Sequence, residues 1–549
     1  MTKMTRRTAL GAAAAPLIIP SRGSAQAGRR PNILWISAED LSPDLGCYGD
    51  RYAATPVLDR LATESLRYDR AFTVYGVCAP SRSSIITGQY PSAIGTGHMR
   101  SKGVPPPETR CYPEYLREAG YYCTNNVKTD YNFDPPATAW DESSPRAHWR
   151  NRPKGMPFFS VMNFTISHES QARPTPEQHA KNTARLTAAQ RHDPAKAVLP
   201  PYYPDTPVVR DNWAKYHDTV SALDHLVGDV LKQLDEDGLA KDTIVFFWGD
   251  HGRGLTRGKR WVYDSGIHVP LLVRWPGQLK PGTATRRLVS LMDLGPTVLS
   301  LAGIPTPKQM HGRAFLGAHD GGERKYIHAA RDRMDETPDT IRAVRDVRWK
   351  YIRNYRPELP YAQDIKYMNE MPMLQEMRRL HAEGKLTGAP ALWFAPTKPA
   401  EELYDCDTDP HEIRNLAADP AHKAKLEELR GEHERWRREY PDLTALPETE
   451  LMERMRPGGE WRTAPEPTVL TAQVAGGVRV TLQCDTPGVR MAWTTEEAKN
   501  PRWRLYVKPV ELKAGERLRA KSCRLGWRDS GEVRSEEHTS ELQSLTNLV

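Results

Sequence analysis

The chain is short of what would hold it in a membrane or on nucleic acid. Beyond one run near its start, no segment of its 549 residues is apolar enough to span a bilayer, and mean hydropathy is −0.65. It has no internal repeat and no interleaving of basic with aromatic residues of the kind that grips nucleic acid. Acidic excess is also missing. The formal charge is +8, and trimming both ends still leaves a modest basic excess, which favours encounter with polyanions although most of these charges form an ordinary solvated surface. Cysteines number only seven: Cys47, Cys78, Cys111, Cys123, Cys406, Cys484 and Cys523. What the chain does have is length, enough for one large α/β unit with an ample core and smaller domains beside it.

Both ends read as separate from the fold. Thr5-Arg6-Arg7 precedes the apolar run Ala9 to Ile19, which is short and broken by Pro16, and Ala25-Gln26-Ala27 has the form of a signal-peptidase site. Residues 1–27 are therefore expected to be an export signal, of the twin-arginine type with a Sec signal as the alternative, and the mature protein to be periplasmic or secreted. Residues from Arg534 to Ser544 read as the translation of a common sequencing adapter, so 534–549 is expected to be an assembly scar.

Between the ends, strand and helix patterns alternate. Asn32 to Ser37 and Thr243 to Trp248 are short apolar runs without polar alternation, as expected of central parallel strands. Helical patterns cover Pro56 to Ser65, Tyr112 to Ala119 and Asn212 to Glu236. This order predicts an α/β fold with a doubly wound, mostly parallel sheet, whose site lies beyond the carboxyl ends of its strands. Both strands run directly into acidic groups, Glu39-Asp40 and Asp250-His251. Taken singly, either pair fits a turn or a helix cap; delivered together to one edge, they make a metal site.

The most specific stretch is Cys78-Ala79-Pro80-Ser81-Arg82, a C-x-P-x-R signal for oxidation of the cysteine to formylglycine. This aldehyde hydrates to a geminal diol, one hydroxyl of which is a nucleophile while the other gives a route to expel the captured group. With Cys78 converted, six cysteines remain, an even number permitted to pair in an exported protein. Ser83-Ser84-Ile85-Ile86-Thr87-Gly88 extends the motif. Together with P-N-I-L-W-I-S-A-E-D, W-G-D-H-G, and Leu403-Tyr404-Asp405, Asp409-Pro410, Glu412 and Asn415-Leu416, it resembles the type I, formylglycine-dependent sulfatases of the alkaline phosphatase superfamily, closest in arrangement to the heparan N-sulfatase (sulfamidase) branch.

That resemblance carries residue roles. Glu39 (where aspartate is commoner), Asp40, Asp250 and His251 would bind one divalent cation, with calcium the family expectation and manganese or magnesium possible alternatives. Arg82, one turn beyond Cys78, would orient the diol, and a helix starting near Pro80 would aim free N–H groups at the anionic ester. Lys128 and Lys259 match the lysines that clamp sulfate, and His168 matches a histidine at the sulfate or leaving group. Asp130 departs from the pattern, which has histidine there, and stands as a substrate-site candidate. His98 and Arg100 follow the nucleophile helix and are placed as candidate sugar contacts. Outside this context each of these side chains would read as a solvated or core residue.

The expected layout is a catalytic α/β domain over 30–330, a C-terminal α+β subdomain over 331–440, a proline- and charge-rich linker over 441–467, and a small β-sandwich over 468–533. Cys484-Asp-Thr-Pro-Gly488, Ala492-Trp-Thr-Thr495 and Arg519-Ala-Lys521 in this last part resemble the small C-terminal domain of some chitobiases and hexosaminidases. Accessory packing is its plainer role, glycan binding the sharper one. The whole chain is thus expected to be an exported sulfatase for sulfated oligo- or polysaccharides, matured by a formylglycine-generating enzyme. A phosphate or phosphonate ester hydrolase and an inactive glycan-binding homologue are the alternatives.

Overall fold

The computed structural model describes residues 30–535. The expected signal at 1–27 lies outside them, as does the 534–549 stretch apart from its first two residues. Among the described residues no helix is long and apolar enough to cross a membrane.

The centre is an eight-stranded sheet. Its order is Thr283–Thr285, Leu66–Tyr68, Leu271–Arg274, Thr243–Gly249, Asn32–Ala38, Phe158–Phe164, Tyr122–Asn126 and Glu142–Ser143. All neighbours are parallel except Leu271–Arg274, which is antiparallel to both of its own. The strands Asn32–Ala38 and Thr243–Gly249 are buried along their whole length. The period of two explains why neither sequence alternates. Leu34 and Ile36 enter one apolar core with Val220, Leu223 and Val227 of the helix Pro207–Glu236. Ile33 and Trp35 enter another with Ile85 and Ile86 of the helix Cys78–Thr87. Helices thus cover both faces, as the doubly wound reading requires. The other two helical patterns appear as Pro56–Thr63 and Pro113–Glu118.

A four-stranded antiparallel sheet follows (Ile327–Arg331, Ile341–Arg345, Trp349–Asn354, Glu401–Asp405), with the helix Lys423–Glu439 packed on it. The last part folds as two small antiparallel sheets around Val469, Val480, Leu482, Leu512 and Leu518.

Two expectations are corrected. The 441–467 stretch is not a bare linker: it holds the helix Glu448–Met455, whose Leu451 is 1 % exposed and whose Glu448 pairs with Arg333. Leu451 and Met455 are spaced one helical turn apart, which lets a charged, proline-flanked segment dock an apolar edge. The permitted cysteine pairing is also not used, since all seven stand as free thiols.

Candidate active site

Four adjacent strands deliver their C-terminal ends to one place. Ala38 lies opposite Gly249 in the parallel register, so Glu39-Asp40 and Asp250-His251 leave the sheet side by side. The Asp40 N–H donates to Asp250 Oδ1 at 3.0 Å, and the Asp250 N–H to the Ala38 carbonyl at 3.0 Å. Asp40 takes a left-handed φ of 51°, one of the conformations that aspartate tolerates better than most residues. Phe158–Phe164 supplies Asn163 and leads to His168 and Glu169, and the loop after Tyr122–Asn126 supplies Lys128. The helix that carries the cysteine begins at Cys78 itself, two residues before Pro80, with Val77 as its N-cap. Pro80 is tolerated there because first-turn N–H groups have no partner inside the helix.

The donor atoms converge as a coordination shell requires. His251 Nε2 lies 3.1 Å from Asp40 Oδ1, 3.7 Å from Asp250 Oδ1 and 3.2 Å from Cys78 Sγ, and the Cys78 sulfur is 3.9 Å from Asp40 Oδ1. Ligands about 2.1–2.5 Å from a central dication are separated from one another by roughly 3–4 Å, so these spacings fit one ion. His251 Nδ1 lies 2.9 Å from the Gly252 carbonyl, a bond that places the ring proton there and turns Nε2 toward the carboxylates. Gly254 has a matching reason. A Cβ there would sit 2.5 Å from Asp40 Oδ2 and 2.7 Å from Glu169 Cβ, so only glycine lets this loop approach the site.

Cations ring the acids. Lys259 Nζ donates to both oxygens of Asp40 at 3.0 and 2.9 Å, pairs with Glu169 at 2.9 Å, and lies 3.1 Å from His168 Nε2. Lys128 is paired with Glu39 and lies 3.6 Å from Asp130. Arg82 donates to Asp250 at 3.1 Å and to Asn163 at 3.0 Å, while its buried Nη2 makes no hydrogen bond and lies 3.9 Å from Glu39. The hydrogen bonds of Arg82 therefore go to Asp250 and Asn163 rather than to Cys78.

Sequence reasoning missed the residues that hold these groups in place. Glu169 accepts two bonds from Arg260, at 2.8 and 3.0 Å, and pairs with Lys259. Arg257 donates to the His411 and Glu412 carbonyls at 2.9 and 2.6 Å. Arg257 and Arg260 both have left-handed φ, so Lys259 sits between two anchored bends. Glu169 adjoins His168 and the arginines flank Lys259 in sequence; a buried charge beside a candidate was the available signal.

Burial works against charge here, and the cations overcome it. Burial alone would raise the Asp40 carboxyl, but Lys259, His168 and His251 hold it well below the usual range. Glu169 is likewise pulled down to about 2 by Arg260 and Lys259 against its burial. Burial would raise the Cys78 thiol too, yet Lys259, Lys128 and His251 bring it below its ordinary value, the setting of a reactive rather than an inert cysteine.

Nine of the twelve candidates thus meet in one cluster, with Asp130 at its margin beside Lys128. His98 and Arg100 stand apart from it. His98 is buried, its Nδ1 accepts the Arg333 N–H at 3.3 Å, and its charged neighbours are Asp332, Glu448, Arg333 and Arg342. Arg100 is exposed; its N–H donates to Asn132 Oδ1 at 2.6 Å, which ties its loop to the one carrying Lys128 and Asp130.

Residues 31–144 and 146–304 match the family model described as Sulfatase, and 249–379 match that described as N-sulphoglucosamine sulphohydrolase, C-terminal. The chain is 42 % identical over 546 residues to an ulvan-active sulfatase of Formosa agariphila, covering 92 % of this chain and 91 % of the relative. It is 28 % identical to the N-sulphoglucosamine sulphohydrolase of Homo sapiens, covering 78 % and 94 %. Among solved structures, a phosphonate monoester hydrolase from Silicibacter pomeroyi matches with a TM-score of 0.56 at 21 % identity, covering 76 % of this chain and 97 % of that one. A protein solved in complex with its substrate D-glucosamine-2-N,6-O-disulfate matches with a TM-score of 0.53 at 19 % identity, covering 75 % and 99 %. These two likenesses are of fold.

Proposed function

Because this chain belongs to the sulfatase family, we propose that it removes sulfate groups from a sulfated polysaccharide of the ulvan kind, outside the cytoplasm, with residue 78 converted to formylglycine. The observation that carries this reading is the convergence of Cys78 with three cations and the Asp40, Asp250 and His251 donor set. Ulvan is favoured over an N-sulfated glucosamine by the 42 % relative, against 28 % for the sulphohydrolase.

A sulfate ester is an anion, and attack on it by another oxygen anion is repelled unless positive charge surrounds the site. Formylglycine would supply a nucleophilic hydroxyl and a second hydroxyl whose deprotonation releases sulfate. A dication held by Glu39, Asp40, Asp250 and His251, calcium first and manganese or magnesium after it, would supply charge that offsets the crowded oxygens. The chain's own groups do the rest. Lys128 and Lys259 flank Cys78 from two loops and face the place of the sulfate oxygens. Arg82 holds Asp250 and keeps one N–H free. His168 Nε2 and Lys259 Nζ, 3.1 Å apart, hold a proton between them that can pass to the departing sugar oxygen, with His168 as the first donor. Such a donor contributes about 10²–10⁴-fold.

Three measurements on one preparation test the reading. Mass spectrometry of the Cys78 peptide should show the aldehyde, made by a formylglycine-generating enzyme. An aryl sulfate should be turned over faster than the matching aryl phosphate, and sulfate should be released from ulvan. Preference for the phosphate would instead support a phosphoester hydrolase, which the imidazole in the donor set also suits.

A further inference from the structure

We propose that the cleft between the catalytic domain and the small C-terminal β-domain is a second, non-catalytic binding site for a sulfated polysaccharide chain. The proposal rests on the substrate class given above, and adds a place where the chain is held away from the reacting sulfate.

The cleft encloses about 380 Å³, within the usual range of small-ligand sites. Tyr122 and Asp141 line its catalytic wall; Trp493, Trp503 and Arg504 line the other. Trp493 and Arg504 are register partners on adjacent strands, and the guanidinium lies 5.0 Å over the indole. Lys521 Nζ lies 4.6 Å over the Trp503 ring. Each indole thus has a cation over it while it lines the cleft. Among the described residues neither Trp493 Nε1 nor Trp503 Nε1 makes a hydrogen bond, and neither atom is buried.

The charges point to an anionic ligand. Asp141 is taken up by Arg117, which donates to it at 3.1 and 2.9 Å, and Glu496 is paired with Arg502. Arg504 is exposed and makes no direct ion pair among the described residues, its nearest carboxylate influence being Glu496, which Arg502 already holds. The lining side chains that carry no hydrogen bond or ion pair thus include the two indoles, the Tyr122 hydroxyl and the Arg504 guanidinium, which rests on Trp493. A pyranose presents an apolar ring face for the indoles, hydroxyls for their N–H groups, and a sulfate for the arginine fork.

The walls are tied together. Arg117 Nη2 donates to the Trp503 carbonyl at 2.9 Å, and Arg490 pairs with Glu118. The cleft is also remote from catalysis. Tyr122 begins the strand Tyr122–Asn126 at the cleft, and the strand ends just before Lys128, which places the two sites roughly 13 Å or more apart along it at 3.3 Å per residue. A small aryl sulfate reaches only the catalytic site, whereas a polymer can occupy both.

The test uses the full-length protein with Cys78→Ala, so that the polymer is not consumed, in affinity electrophoresis through gels containing ulvan. Adding Trp503→Ala or Arg504→Ala should weaken retention by about tenfold each, the scale of one aromatic or charge-assisted contact. The same two substitutions in the Cys78 enzyme should leave aryl sulfate turnover within about twofold, since neither residue is near the catalytic cluster. On desulfated polymer, Arg504→Ala should have no effect. Unchanged retention in both variants overturns the site, as does a parallel loss of aryl sulfate turnover. A wild-type enzyme that binds ulvan but releases no sulfate from it or from aryl sulfates would overturn the catalytic reading and leave the cleft standing.

Discussion

The backbone N–H of Asp40 donates to Asp250 Oδ1 at 3.0 Å, although 210 residues separate the two in the chain. This bond fixes the mutual position of the two acidic loops before any ion arrives, because each loop leaves a strand whose neighbour is already in register. The site is therefore built on rigid strand ends, and its members can be removed one at a time with distinct consequences.

Cys78→Ala should lower aryl sulfate turnover by about 10³-fold or more, the scale of losing one member of a catalytic unit. Its melting temperature should change little, because a first-turn helix residue gives the core only a methylene and a sulfur. Purified alanine variant working at the wild-type rate would overturn the nucleophile assignment.

Asp40→Asn and Asp250→Asn should each lower bound metal and turnover together, since a hard dication is held chiefly by carboxylate charge. Elemental analysis is the check. Undiminished single-metal occupancy in both variants would move the ion elsewhere.

Glu169→Gln tests a residue with no expected role in the reaction itself. It removes one buried counter-charge shared by Arg260 and Lys259, which keep Asp335 and Asp40 respectively, so the loss in stability stays below the about 3–5 kcal/mol of a fully orphaned buried partner. Urea unfolding should show that loss, and kcat should fall as Lys259 shifts. If Glu169→Gln unfolds like the wild type while its kcat is intact, Glu169 does not position Lys259.

Arg100→Ala should weaken hydrolysis of the natural saccharide more than that of an aryl sulfate, by about tenfold against less than twofold, if the exposed loop reads flanking sugar groups. Equal losses on both substrates would move Arg100 into the common sulfate machinery, and no loss on either would return it to the solvated surface.

His433 predicts an acid limit. Burial first, then Arg437 and Arg342, lowers its imidazole to about 4, and its Nδ1 has no hydrogen-bond partner. A histidine depressed in the folded state stabilises fully above its unfolded value of about 6.5, and that contribution is lost as pH falls toward 4. The loss amounts to about 3 kcal/mol for a shift of this size. His268 and His311, lowered to about 4 by burial, add to the same window. Denaturation midpoints of the wild type should drop between pH 6.5 and 4.5, and His433→Gln should flatten part of that slope. An identical slope in the variant would remove His433 from the account.

Local chemistry was legible in the order of residues. The unalternating runs at Asn32 and Thr243 already pointed to strands buried on two faces, and the acids that follow both runs marked one edge as a candidate metal site. Cys78, Pro80 and Arg82 were legible because the C-x-P-x-R motif is local in the chain. Which charges meet depended on folding in three dimensions. Glu169 finds Lys259 across some ninety residues through the return of a neighbouring strand, and no local pattern encodes that partner. Arg82 turned toward Asp250 and Asn163, and His98 toward Arg333, because a buried polar group goes to whichever partner the packed loops bring within reach. The cleft behind Trp503 is a product of docking, since neither of its walls is a site alone. Strand pattern and motif depend on neighbours in sequence; charge pairing and clefts depend on neighbours in space.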